Sequence, residues 1–407
     1  MIKLNVWLTV DLGKSIHVGE LVVAHPDSQG RLQGQFRYSP EYLNRPESFP
    51  LDPIHLPVSV EIFNADRPYA GVHGVFEDSL PDDWGRRLLT RRYRLARSDQ
   101  RVPQLLDLLG GQGMGALSYS RDDTAPDKKE GVDGQYLEDL QRLALNFEED
   151  ATSIDGEMAL LFQAGSSPGG ARPKALINDG ERAYLAKFAS IKDQFDVVAL
   201  ESAAMELARR AGVNAANTQC VPCGKSKVLL VERFDIDTAA MRRNHVISMQ
   251  TLLGAEGYYN LGYADMAAII RRVSAHPVLD LQQLFRQLVF NVMIGNTDDH
   301  LKNFCMLFDG QDWRLSPAFD LVPNIGLNLE HVLRIGLANQ VPNRDTLLTE
   351  AKKFGIKQRP KADEIINTML SVVSDWKKVF KEFEVPERDM DVLGRDIESR
   401  LSRMALT

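Results

Sequence analysis

Residues 288 to 308 read LVFNVMIGNTDDHLKNFCMLF, an apolar run, then a polar octet from Asn296 to Asn303 broken only by Leu301, then apolar residues again. Upstream, Leu281, Leu284, Phe285, Leu288 and Val292 recur at helical spacing, and Asp280 is a good N-cap, so a buried helix is expected to start there and end by Gly295. The octet then occupies the loop that follows. Beyond it, FCML, the turn FDGQDW and WRLS predict a hairpin turning at Asp309 and Gly310. Such a hairpin brings Asn303, at one end, close to Asp320 in SPAFDLVPN, just past the other.

A carboxylate, an amide oxygen and a second carboxylate gathered in this way are oxygen donors of the kind magnesium takes, and magnesium commonly arrives with nucleotide phosphates. Asp298 precedes Asn303 by five residues, the offset of Asp and Asn in the protein-kinase catalytic loop, and Phe319-Asp320 stands where the metal-binding Asp of D-F-G would stand. Asp298 would accept or orient the proton of an attacking hydroxyl. Lys302, and His300 when protonated, could offset charge on the transferring group. A hydrogen-bonded structural loop is the competing reading.

Phosphoryl transfer from a nucleotide needs further parts upstream. AGSSPGGARPKALI (164 to 177) puts a Gly-rich turn before a strand, where backbone N–H groups can approach phosphates. It is neither G-x-G-x-x-G nor a P-loop, and a plain surface turn would look the same. Lys187 lies on the next strand. Val197, Leu200, Ala204, Leu207 and Ala208 form an apolar stripe on the helix that follows, and Glu201 falls on it. A carboxylate there is costly unless paired, so it pairs with Lys187 or reaches solvent at the stripe's edge. LLVERFD ends a strand where backbone groups of Glu232, Arg233 and Phe234 could meet an adenine edge.

The totals fit this reading. The chain has 407 residues, 44% hydrophobic and 26% charged, which suits two or three globular units. A net charge of -8 argues against a protein devoted to nucleic-acid phosphates. The exception, RRLLTRRYRLAR, has six arginines between Arg86 and Arg97 and reads as an amphipathic helix, started by Ser79, Pro81 and Asp82, with a solvated basic side. The alternating N-terminus MIKLNVWLTVDL suits a strand, no run reaches membrane-spanning length, and three cysteines make no disulfide framework. A cytoplasmic location and no membrane contact are the expectation. Cys220 and Cys223 form an isolated C-x-x-C, a poor zinc or redox motif without companions.

Along the chain, HVGELVVAH and LQGQFRYS flank the turn PDSQGR as an antiparallel pair, and the charged stretch 120–135 reads as a linker or surface loop. KALIND and RAYLAKFAS are strand-like, a helix over DVVALESAAMELARRAG ends with Arg209, Arg210 and Gly212, and TQCVPC and KVLLVERFD are strand-like again. Helices are expected near 264–275, 280–295, 361–384 and 387–404.

In order and spacing, SSPGGARPKA, VERFD, GNTDDHLKNF and SPAFDLVPN resemble the HipA-type serine/threonine kinase toxins of bacterial toxin-antitoxin systems, and FEDSLPDDWGRRLL is similar to that family's N-terminal domain. The resemblance covers nearly the whole chain. It implies an α+β fold, bilobal and protein-kinase-like, with a β-rich N-terminal domain at 1–120, a kinase N-lobe at 136–235 and a mainly helical C-lobe at 236–407. It implies ATP and Mg²⁺ as cofactors, Asp298 as the catalytic aspartate, and Asn303 and Asp320 as metal ligands. His300 to Asn303 would border the nucleotide, Lys187 would contact its phosphates, and Glu232, Arg233 and Phe234 would form the hinge. Gly169, Gly170, Ala171, Arg172, Pro173 and Lys174 correspond to the phosphate-side loop. Ser167, or the adjacent Ser166, falls where relatives phosphorylate themselves, which would put charge inside a loop meant for ATP. The resemblance further implies a small helix-turn-helix antitoxin as partner, DNA contact only through it, and a translation-related protein substrate such as glutamyl-tRNA synthetase. A catalytically silent corepressor is the alternative, and a metal-dependent phosphohydrolase using Asp298, Asp299 and His300 a third reading.

Overall fold

The computed structural model describes residues 1–405 apart from 12–13, 66, 129–130, 150–157, 165–171, 240, 258, 326–329 and 338–340. The chain is α+β and closes into two compact units, one made of 1–191, 232–254 and 307–311, the other of 192–231, 255–306 and 312–407.

The first unit is built on a sheet of seven strands. Ile2–Asp11 and Lys14–Val23 pair antiparallel from Ile2 opposite Val23, and Gly34–Tyr38 and Ile62–Ala65 extend the sheet on one side. The turn expected at PDSQGR is closed by the Asp27 carboxylate, which accepts from the N–H groups of Gln29 and Arg31 at 2.9 Å each. Strand Gly34–Tyr38 alternates buried and exposed residues, the period-two pattern of a sheet with one face covered. Its buried Phe36 ring lies 5.0 Å from that of Phe76. Leu117–Ser120 also pairs with Ile2–Asp11. On the far side, Ile236–Asp237 and Arg242–Arg243 join through Asp11 opposite Arg242, a pairing across more than two hundred residues that no local pattern announces.

The stretch 120–135 is more than a linker. Lys128 is half-buried, and its ammonium donates to the Leu117 carbonyl at 2.5 Å. Burial, and then the charges of Arg243 and Arg233, push its pKa well below the usual lysine value. Val132–Asp133 pairs in parallel with Ile177 and Asn178. A segment poor in apolar residues is thus held by backbone pairing and by one lysine whose stem is apolar.

This unit also sets an acid limit on stability. His245 is buried, with Nε2 2.8 Å from the Leu51 carbonyl, and burial holds its pKa down to about 4 from 6.5. Between those values the unfolded chain binds more protons than the folded one. Stability from this group is therefore complete above about pH 6.5 and falls as pH drops toward 4, by about 3 kcal/mol in all. Thermal unfolding followed from pH 7 to 4.5 should show a falling Tm, and His245→Gln should flatten that slope. An unchanged slope in the variant would assign the acid sensitivity elsewhere.

The second unit is mainly helical. Its central helix, Pro277–Ile294, is apolar on most of its surface and packs against Tyr263–Val273, Arg359–Val373 and Glu387–Ala405. It ends at Gly295, where φ is +76° and a Cβ would come within 2.8 Å of Asp396 Oδ2, so glycine is needed for both torsion and space. The expected helix after Lys187 forms as Val197–Arg210, capped by the Asp196 carboxylate on the Ala199 N–H at 3.0 Å. The expected helix over 361–384 divides into Arg359–Val373 and Trp376–Glu382. Cys220 and Cys223 lie on strand Thr218–Cys223, where an offset of three points them to opposite faces.

Candidate active site

The polar octet follows the C-terminus of the central helix, as the sequence required. The base of this region is tied down by a residue whose role the sequence hid. The central helix begins at Pro277, three residues before the expected N-cap. Asp280 instead sits inside the first turn, and its buried carboxylate accepts from Ser274 Oγ (2.6 Å), Arg314 Nη2 (2.9 Å) and the Leu315 N–H (3.0 Å). Proline at the first helical position needs no N–H partner, which lets the helix start early. Asp280 is thereby free to hold the strand Trp313–Leu315 against the helix.

Downstream of the octet, the strands Cys305–Phe308 and Trp313–Leu315 flank a turn in which Asp309 Oδ1 accepts from the Gln311 N–H at 2.9 Å. The Ser316 N–H donates to the Cys305 carbonyl at 2.9 Å, bringing together the segments that carry Asn303 and Asp320. Two further bonds fix the second segment: the Ala318 N–H to the Asn214 carbonyl (2.7 Å) and the Ala216 N–H to the Ala318 carbonyl (2.8 Å). Asp320 follows two residues later with φ +58°, a left-handed backbone that few non-glycine residues adopt and that asparagine and aspartate tolerate best. Such torsions concentrate at functional sites.

Asp298 is exposed, and its carboxylate makes no hydrogen bond or ion pair among the described residues. Asn303 is buried, and its Nδ2 donates to the Asp298 backbone carbonyl at 3.0 Å. With the amide nitrogen committed there, Oδ1 is the atom left to act as an oxygen ligand. The Asn303 N–H donates to the His300 carbonyl at 2.9 Å, closing a single 3₁₀ turn over Leu301–Asn303. His300 and Lys302 are half-buried on this turn. Asn303 Oδ1 and the Asp320 carboxylate suit a hard divalent cation, and two protein ligands leave the other positions to phosphate oxygens and water, the habit of magnesium. Among the described residues no three His, Cys, Asp or Glu side chains are grouped as a metal site.

Other site expectations fall in the first unit. Lys174 and Lys187 stand directly opposite each other on the antiparallel strands Lys174–Asn178 and Ala183–Lys187. Pro173 is tied by its carbonyl to the Phe188 N–H at 3.0 Å, and Arg172 is exposed. Ser166, Ser167, Gly169, Gly170 and Ala171 lie outside the described residues. At 232–234, the side chain and the N–H of Arg233 are spent on structure. Its N–H donates to the Ala183 carbonyl at 2.9 Å, and its guanidinium makes a fully buried ion pair with Asp235 at 2.6 Å. Burial alone would raise the Asp235 carboxyl, but Arg233, Arg243 and the Gly115 N–H hold it down to about 2. Glu232 pairs with Arg182 at 3.3 Å. In the second unit, Glu201 is 4% exposed, which removes the solvent-facing alternative, and Phe319 is half-buried.

Comparison with known proteins then decides the family. The HipA-like C-terminal domain matches residues 166–376, and the HipA N-terminal domain matches 8–120. The chain belongs to the HipA family. It is a kinase, and as such uses ATP with a divalent cation. Among curated relatives of this HipA-family kinase, the protein called "Putative kinase Y4mE" of Sinorhizobium fredii is 28% identical over 374 residues, covering 80% of this chain and 84% of the relative. The serine/threonine-protein kinase toxin HipA of Shewanella oneidensis is 31% identical over 138 residues, covering 29% of this chain and 32% of the toxin. A chain of the solved Shewanella oneidensis complex of HipA, HipB and operator DNA shares the fold, with a TM-score of 0.69 at 18% identity over 97% of this chain and 96% of that one. No helix among the described residues is long and apolar enough to cross a membrane.

Proposed function

We propose that this HipA-family kinase transfers the γ-phosphoryl group of Mg·ATP to a serine or threonine hydroxyl, with Asp298 as catalytic base and Asn303 and Asp320 as metal ligands. The observation that carries the reading is the pairing of an exposed, uncommitted Asp298 carboxylate with an Asn303 whose amide nitrogen is spent on the Asp298 carbonyl. In the transfer step the acceptor oxygen bonds to the γ-phosphorus, its proton passes to Asp298, and the bond from that phosphorus to the bridging oxygen breaks, releasing ADP. Asn303 Oδ1 and Asp320 would hold the divalent cation, which would offset negative charge on the phosphate oxygens. Lys302 and His300 border the transferring group. Lys187 is assigned to the phosphates and Glu201 to Lys187 on the sequence pattern, with Gly169 to Lys174 as the phosphate-side loop and 232–234 as the adenine-side segment.

By kinship, 1–120 serves as the family's N-terminal domain, 136–235 as the nucleotide lobe and 236–407 as the catalytic lobe. The substrate is a translation-related protein such as glutamyl-tRNA synthetase, and the kinase acts as the toxin of a pair whose antitoxin is a small helix-turn-helix protein that mediates any DNA contact. Self-phosphorylation falls on Ser167 or Ser166. Phosphoproteomics of cytoplasmic extracts after expression of the wild-type chain and of Asp298→Asn should reveal sites, on a translation protein and on the chain itself, that vanish in the variant. Identical profiles would refute the assignment.

A further inference from the structure

Asp298 and Asp299 are adjacent and chemically identical, yet the fold treats them oppositely. Asp299 is 1% exposed. Its Oδ2 accepts from the Tyr263 hydroxyl at 2.7 Å and lies 2.9 Å from His331 Nδ1, while Oδ1 accepts from the Leu333 N–H at 3.2 Å. The Tyr263 hydroxyl accepts in turn from Asn291 Nδ2 (2.9 Å), and Asn291 Oδ1 from Asn296 Nδ2 (3.1 Å). A buried carboxylate persists only with such a set of donors. Two of the three donors to Asp299 come from the stretch 331–333.

The same stretch also grips the residue on the other side of Asp298. The Val332 N–H donates to the Thr297 carbonyl at 3.1 Å, and Asn324 Nδ2 donates to Thr297 Oγ1 at 2.6 Å. The exposed catalytic carboxylate is therefore carried by a residue whose two chain neighbours are both bonded to the segment downstream of Asp320. The His331 side chain is 5% exposed, and its second nitrogen, Nε2, has no hydrogen-bond partner among the described residues. Leaving a polar atom buried and unpaired costs about 1–3 kcal/mol. An apolar side chain would avoid that cost but leave the buried Asp299 carboxylate short of a donor, so what the histidine supplies there is its Nδ1 bond to Asp299.

We propose that the Asp299–His331 hydrogen bond is a positioning device for phosphoryl transfer: it clamps 331–333 to the catalytic loop and so aims Asp298 at the acceptor hydroxyl. The proposal rests on Asp298 being the catalytic base. His331 acts through Asp299 and is a positioning residue. With the carboxylate as acceptor, the imidazole proton is placed on Nδ1.

The test uses the purified full chain, with turnover of γ-labelled ATP into protein-bound and inorganic phosphate, affinity for a non-hydrolysable ATP analogue, and Tm. His331→Ala should lower kcat about 10- to 100-fold, the scale of an ångström misplacement of a reacting group, and leave analogue affinity within about twofold. His331→Asn, whose amide can donate to the same carboxylate, should recover to within about threefold of wild type. A kcat unchanged in His331→Ala, or no recovery in His331→Asn, overturns the proposal. Should His331→Ala unfold at the assay temperature, His331→Leu takes its place, since it keeps most of the volume and removes the donor to Asp299. It should lower kcat severalfold with analogue affinity intact, and parallel losses in both, or in neither, overturn the clamp. Full turnover by Asp298→Asn would mark a different failure, that of the catalytic assignment itself.

Discussion

Asp298→Asn should lower the rate of phosphate transfer about 10³-fold, the range expected when a positioned general base is removed, with fold and Tm unchanged. The two halves of that result come from different features. The Asp298 side chain is exposed and has no partner among the described residues, so its replacement by an isosteric amide removes no stabilising contact. Its backbone carbonyl, which receives the Asn303 amide, is untouched by the substitution. Labelled-ATP transfer together with thermal melting checks both. Loss of rate accompanied by a large fall in Tm would mean that Asp298 is structural.

Asp320→Asn should be nearly as damaging, by about 10²- to 10³-fold in kcat at fixed metal concentration, through loss of a negative ligand at the charge-bearing end of the reaction. Asparagine is the informative replacement. At φ +58° it tolerates the left-handed backbone about as well as aspartate does, so the change is one of charge and not of conformation. Asp320→Ala would add about 1 kcal/mol or more of backbone strain and confuse the two effects. A titration with magnesium should show the apparent metal constant of Asp320→Asn raised well above that of wild type. An unaltered metal requirement would place the cation on other ligands.

How much of this was legible in the sequence depends on the range over which each feature is encoded. The central helix, the polar octet and the turn at Asp309–Gly310 are local, and spacing alone revealed them. So was helix Val197–Arg210 with Glu201 on its apolar stripe, although the sequence left open whether that carboxylate reaches solvent. Asp280 shows the limit. An aspartate before an apolar periodic run reads as an N-cap, but proline three residues earlier starts the helix first, and the carboxylate is claimed by Arg314 and Leu315, thirty-odd positions away. The offset of five to Asn303 singles out Asp298, but nothing local announces the burial of Asp299, whose partners Tyr263 and His331 come from other elements. The addition of Ile236–Asp237 and Arg242–Arg243 to the N-terminal sheet and the placing of Lys128 near Arg233 and Arg243 are long-range in the same way. Arg233 was grouped with Glu232 and Phe234 on its position in VERFD, and only the strand register reveals that its N–H is already used.

The most direct test of the central claim is a crystal structure of the full chain with magnesium and a non-hydrolysable ATP analogue. The account predicts a cation about 2.1 Å from both Asn303 Oδ1 and an Asp320 carboxylate oxygen, bridging to phosphate oxygens, with the Asp298 carboxylate facing the γ-phosphorus. A nucleotide bound elsewhere, or a cation that leaves Asn303 and Asp320 uncoordinated, would contradict it.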